Sequence, residues 1–275
     1  YNIGVGYNAG NSLTTGQSNT LIGALAGDAM TTAGSSIAIG RDALGSVTEG
    51  GQNIGIGYGA LRDTTTASNN VAVGYLALEE NITGHSNIAI GFQALENPDA
   101  EHHNLAIGFD ALGGAVAGGE YNVAIGNYAL DALTSGDYAV AIGYQAGTAS
   151  TTAGDAVLIG YQAGASITTG GGHLFIGKNA GDGFDTENYN MGIGSNALGG
   201  SVAGGEYNIA IGVNTLDALT SADYNVALGY EAGTDITTGT GNTLLGSQAG
   251  KELTTGAGNV FVGYRSGFDA AITGD

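Results

Sequence analysis

YAVAIGYQAGTASTTAGDAVLIGYQAG, residues 138–164, states one pattern twice, seventeen residues apart. With Gly143 and Gly160 as anchors, the same glycine returns at 6, 23, 40, 57, 74, 91, 108, 126, 177, 194, 212, 229, 246 and 263. That makes sixteen copies, each step seventeen residues except 108 to 126 and 194 to 212, which are eighteen. A period this short and regular marks a solenoid, in which one repeat is one coil and neighbouring coils bury each other's apolar surface. The chain is therefore read as all-β, a parallel β-solenoid or β-roll of about sixteen 17-residue coils forming a single repeat array over residues 1–275. At ordinary strand spacing such an array is on the order of 75 Å long. It begins at Tyr1 in the middle of a repeat, so it is read as a segment of a longer or processed fibrous protein.

Each position of the coil has its own chemistry. The residue before the anchor is aliphatic in all sixteen copies, and the residue three before it is nearly as strict, broken only by Thr20 and Thr243. That alternation predicts a short strand with an apolar face. Four before the anchor stands Asn in twelve copies, suited to a corner and to an amide ladder between coils. Three after it stands Ala in fourteen, where small size marks close backbone approach. The anchor glycine is expected at a left-handed or tightly packed corner that admits no Cβ. Thr-Thr-Gly and Thr-Thr-Ala corners, as at 14–16, 31–33 and 168–170, read as turns between two short strands per coil.

One compensation is internal to the chain. Where the residue two before the anchor is Leu or Phe (Leu21, Leu158, Phe175, Leu244, Phe261), the residue four after it is Gly (Gly27, Gly164, Gly181, Gly250, Gly267). Where the latter is Leu, as at Leu44, Leu61, Leu78 and Leu95, the former is Ala or Gly. Such a trade is expected of two side chains sharing one close-packed space. Yet the position two before the anchor points away from its aliphatic neighbours, so both strand faces need cover, and one narrow coil has a single interior. The second face predicts a partner, and the simplest is another copy of the chain, giving rods side by side in a homo-oligomer.

Aromatic side chains fall in two rows. Tyr7, Tyr58, Tyr75, Phe92, Phe109, Tyr144, Tyr161, Tyr230 and Tyr264 stand one after the anchor; Tyr1, Tyr121, Tyr138, Tyr189, Tyr207 and Tyr224 stand five before it. Stacking between coils is the expected role, a sugar-stacking row the alternative. A longer period lies above these rows: GGAVAGGEYNVAIG at 113–126 returns as GGSVAGGEYNIAIG at 199–212, 86 residues on, each followed, after three further residues, by LDALTS. Both eighteen-residue steps fall there, so an extra residue is expected to bulge from that corner.

Composition narrows the function classes. Gly is 53 of 275 residues with a single proline and no Gly-X-Y register, which rejects collagen and disordered Pro/Gly linker. A net charge of −20, from 25 acidic and 5 basic residues, repels phosphate backbones and anionic headgroups and argues against nucleic-acid partners. No apolar run approaches the roughly 18–20 residues of a membrane span, so no membrane insertion is expected.

The core Asn-x-Ala/Gly-Ile/Val-Gly-x-x-Ala, as in NVAVGYLAL at 70–78, NIAIGFQAL at 87–95 and NVAIGNYAL at 122–130, resembles the head repeats of trimeric autotransporter adhesins. With its Thr-Thr-Gly corners it is closer still to the shaft repeats of bacteriophage tail fibres. The resemblance covers essentially the whole chain and implies a homotrimeric parallel β-roll, extracellular or on a virion surface, with an adhesive task toward a cell-surface polysaccharide or receptor. The autotransporter heads usually repeat at about fourteen residues, and this chain at seventeen.

No catalytic, cofactor-binding or metal-binding residue is assigned, so the chain is not read as an enzyme. A depolymerase needs paired carboxylates in a cleft, and here the acids scatter over corners. His102 and His103 are adjacent and expected on opposite faces, His85 and His173 isolated, which argues against a zinc site. Asp182, Asp185 and Glu187 form the one cluster considered for calcium, with a solvated loop as the competing reading. Besides the fibre shaft, the alternatives are a self-assembling extracellular filament, an ice-binding threonine array and a polysaccharide depolymerase spike.

Overall fold

A three-residue segment with mostly β-branched ends, closed by a glycine, is long enough to pair on both sides and too short to do more. The computed structural model describes residues 1–114, 117–200 and 204–268, and among these it forms sixteen strands, each ending at the residue before an anchor glycine, and no helix. Two compact units divide the chain, Tyr1–Tyr138 and Ala139–Asp275. The first holds β1 (Ile3–Val5), β2 (Thr20–Ile22), β3 (Ile37–Ile39), β4 (Ile54–Ile56), β5 (Val71–Val73), β6 (Ile88–Ile90), β7 (Leu105–Ile107) and β8 (Val123–Ile125). The second holds β9 (Val140–Ile142), β10 (Val157–Ile159), β11 (Leu174–Ile176), β12 (Met191–Ile193), β13 (Ile209–Ile211), β14 (Val226–Leu228), β15 (Thr243–Leu245) and β16 (Val260–Val262). Within each unit the strands pair parallel in chain order, each residue facing its repeat equivalent, as Ile54↔Val71 and Ile209↔Val226. This is the parallel β-solenoid that the period predicts.

The expected second strand is replaced by turns. After each anchor the chain runs through tight turns closed locally, as Leu13 N to Gly10 O, and coil to coil, as Gly27 N to Ala43 O. The physical reason is backbone hand: residues two and four after the anchor lie at positive φ, as Asp42 (57°) and Leu44 (52°), and an alternation of hands cannot extend into a strand. The bulge expected from the extra residue of the two long coils involves residues 115–116 and 201–203, which lie outside the described residues.

Stacking at one strand spacing leaves no room at the anchors. Gly74 has φ +148°, and a Cβ there would lie 2.0 Å from the carbonyl oxygen of Gly91, the next anchor. The Asn row is buried and bonds mainly to backbone. Asn70 Oδ1 accepts from Asn87 N at 2.9 Å, and its Nδ2 donates to Gly84 O at 2.9 Å. Amide-to-amide bonds occur only in places, as Asn242 Nδ2 to Asn225 Oδ1 at 3.0 Å. The left-handed residue is the one before each Asn, for example Gln52 and Asn69, so the Asn itself is a buried cross-link and not the corner.

The core is the side the strand shares with the turns. Residues two before the anchor (Ala38, Ala72, Leu158, Phe175) and three and four after it (Ala43, Leu44, Ala77, Leu78) are fully buried. The volume trade is direct contact: a Cβ on Gly181 would lie 2.3 Å from the Phe175 ring, and one on Gly27 2.9 Å from Leu21. Every Leu four after an anchor, from Leu44 to Leu216, sits at positive φ. Left-handed backbone costs about 1–2 kcal/mol per residue, and burying a leucine side chain returns about 1.5–3 kcal/mol. Filling the interior therefore offsets the strain only where the facing strand residue is small.

Gly181→Leu should destabilise the chain by about 1–3 kcal/mol through overfilling. Phe175→Ala/Gly181→Leu recreates the Ala38–Leu44 pairing and should regain more than half of that loss, read by urea unfolding followed by circular dichroism.

Candidate functional site: an uncharged strand face

With the interior on one side of each strand, the aliphatic residues one and three before the anchor face outward. Ile22, Ile39, Ile56, Ile88, Ile90, Val226, Leu228 and Leu245 are all exposed, Ile39 by 36% and Leu245 by 44%. A parallel sheet is ordinarily apolar and covered on both faces. Here the rows five before and one after the anchor extend the outward face, making it four residues wide. Those four rows include one of the chain's 25 acidic residues, Asp155, and two of its bases, Arg41 and Lys178.

Aromatic ladders run along its two edges. Tyr58, Tyr75, Phe92 and Phe109 stack at 5.2, 5.0 and 5.0 Å between centroids, within 12° of parallel. Arg41 lies over the outer face of Tyr58 at 5.9 Å, and Tyr128 meets Phe109 edgewise. On the other edge His103, Tyr121 and Tyr138 stack at 4.8 and 5.3 Å, and Tyr189, Tyr207 and Tyr224 at 5.4 and 5.3 Å. Sugar stacking needs an open ring face, and within these ladders the faces are occupied by neighbouring rings. In the threonine corners the first hydroxyl is engaged: Thr14, Thr31 and Thr237 donate to the carbonyls of Thr31, Thr48 and Thr254 one coil on, while the second threonine, as Thr15, Thr32 and Thr238, is exposed.

The histidines depart from expectation. His85 is not isolated: it stands seventeen residues before His102, their rings stack at 3.7 Å, and His85 N donates to His102 Nδ1 at 3.0 Å. Burial lowers the His85 pKa, followed by the nearby His102 and His103 charges. The same bond recurs along that row, as Gly171 N to Asn188 Oδ1 and Glu206 N to Asp223 Oδ1. His173 occupies the Asn row: Asn190 N donates to its Nδ1 at 3.3 Å, and its Nε2 donates to Glu187 O at 2.8 Å. It thus reproduces both bonds of an asparagine in one neutral tautomer, and burial lowers its pKa.

The acids considered for calcium do not converge. Glu187 is buried and accepts from the backbone N of Asp185 (2.8 Å), Thr186 (3.1 Å) and Gly204 (2.7 Å). Asp185 accepts from the Thr168 hydroxyl, and Asp182 has Asp217 as its charged neighbour. Glu101, 86 residues before Glu187, grips its own corner in the same way, through Ala100 N (3.0 Å) and Gly118 N (2.7 Å). Among the described residues no group of three or more His, Asp or Glu is placed to hold a metal. An open cleft of about 430 Å³ is lined by Asp63, Glu80, Ile82, Asn97 and Asp99. The carboxyls whose pKa burial raises, Glu79, Asp110, Asp182 and Asp217, do not line it. No protein-family model matches the chain, and no curated protein matches it significantly.

A histidine held neutral by burial makes stability depend on pH with a fixed sign. Because the folded pKa of His173 is depressed, the unfolded chain binds the proton first. Its contribution is intact above the ordinary imidazole value of about 6.5 and declines as pH falls toward the folded pKa. His173→Asn keeps the donor and acceptor and does not titrate. Thermal melts between neutral and mildly acid pH should show a smaller loss for this variant than for the parent chain.

Proposed function

We propose that the chain is the stiff β-solenoid shaft of an extracellular or virion-borne fibre. In this reading copies lie side by side as a homotrimer and serve attachment to a cell-surface polysaccharide or receptor. The observation that carries it is the outward strand face, repeated on every coil, aliphatic, edged by aromatics and almost free of charge. In each unit its four rows over eight strands span roughly 20 by 34 Å, or about 700 Å². That exceeds the largest apolar patch of an ordinary monomer and is close to one partner's share of a stable interface, about 800 Å². The repeat's likeness to tail-fibre shafts and adhesin heads supports the attachment role and the threefold state. No reaction is proposed, because the acids with shifted pKa and the open cleft do not coincide.

Sedimentation equilibrium of the chain should give three times its mass of 27.0 kDa, and a persistent monomer would sink the assembly reading. Ile90→Glu, which places a charge on the face and touches no interior contact, should lower the mass while leaving the circular dichroism spectrum unchanged.

A further inference from the structure

The outward face has two unlike edges, and in the unit Ala139–Asp275 each carries one exposed, unpaired charge. Asp155 stands on the edge five before an anchor, and Lys178 on the edge one after the next anchor, so they lie on opposite edges in successive coils. Among the described residues neither side chain has an intrachain hydrogen bond or ion pair. The other base on the face, Arg41, is engaged by Asp42 at 3.1 Å and by the Tyr58 ring. We propose that Asp155 of one copy pairs with Lys178 of the adjacent copy, which fixes the copies parallel and sets their stagger. The proposal rests on the side-by-side assembly above and deepens it.

Symmetry supplies the argument. Any rotation about the direction in which coils stack, twofold or threefold, brings the trailing edge of one face against the leading edge of the next copy at the same coil level. A twofold axis along the strands instead reverses the coil order and brings like edge to like edge. Lys178 would then meet a row that contains no acid, and Asp155 a row that contains no Lys or Arg. In the parallel case the two charges are one coil apart, about 4.8 Å, which a lysine's flexible four-carbon stem can span. An exposed ion pair within one chain contributes little. Between copies carrying −20 each, a single attraction at an otherwise uncharged face weighs on which arrangement forms, and like charges there oppose it.

The test is a charge-reversal cycle on the full chain, Asp155→Lys, Lys178→Asp and the double swap, read by sedimentation equilibrium over a concentration series. Each single reversal should raise the concentration of half-dissociation roughly tenfold, and the swap should bring it back to within about threefold of the parent. Singles that assemble like the parent, or a swap no better than the worse single, would overturn the pairing while leaving the assembly intact. A parent chain that is monomeric at every concentration removes both. Carbodiimide cross-linking of the parent chain avoids any folding defect in the variants. Lys178 and Lys251 are the only lysines, so the pairing requires an Asp155–Lys178 peptide in the band of twice the chain mass, and its absence there contradicts the proposal.

Discussion

Everything in this chain follows from stacking backbone on backbone at one strand spacing. Gly57 N donates to Ile39 O and Gly74 N to Ile56 O, each at 2.8 Å, and the bond repeats at the same place in successive coils. A residue's neighbours are then its own equivalents seventeen places away, so the sequence acts as a set of rows. The anchor row shows the constraint at its hardest, since a Cβ at Gly57 would sit 2.1 Å from the Gly74 oxygen. One larger residue would force two coils apart and break the bonds beside it.

The interior inherits that fixed spacing. With coils unable to separate, the volume between strand and turns is constant, and a Phe or Leu from one side leaves space only for Gly on the other. Small-to-large changes in such a core have no direction in which to relax. The left-handed turn is the second half of the same constraint. Glycine accepts that backbone freely, and at Leu61 (φ 56°) full burial of the leucine side chain offsets the strain. One position thus alternates between the two residue types that satisfy either packing or hand.

The rows made much of this legible. Period, parallel register, the Cβ-free anchor and the trade between Phe175 and Gly181 all follow from equivalent residues being neighbours. What was not legible depended on hand and direction. Alternation in a three-residue strand marks two faces, and the volume trade says which one the segment after the anchor covers; that this segment turns and forms no second strand is not legible, because left-handed backbone at Leu or Asp leaves no sequence signal. His85 reads as isolated although His102 stands seventeen residues on, and the period is the signal that joins them. Glu101 and Glu187 carried a similar mark in their 86-residue offset. Their role depended on which way a carboxylate turns at a corner, which spacing alone does not fix.

Charge placement ties the fold to the proposed assembly. A chain with 25 acids and 5 bases repels its own copies over most of its surface, and at moderate salt that repulsion acts within about 10 Å. Contact between copies is then favoured where charge is lowest and apolar surface highest, and the outward strand face meets both conditions. The acids are placed where the coil can use or hydrate them. Asp137 and Asp223 accept backbone N–H bonds at 2.8 Å from the preceding coil, and Glu231 is held by Lys251 and Gln248, its pKa drawn down to about 2. Removing acids from the face costs the fold nothing, because the strand rows there make no polar side-chain bonds. The same removal leaves the two edges nearly neutral, and against that background the two free charges at 155 and 178 stand out.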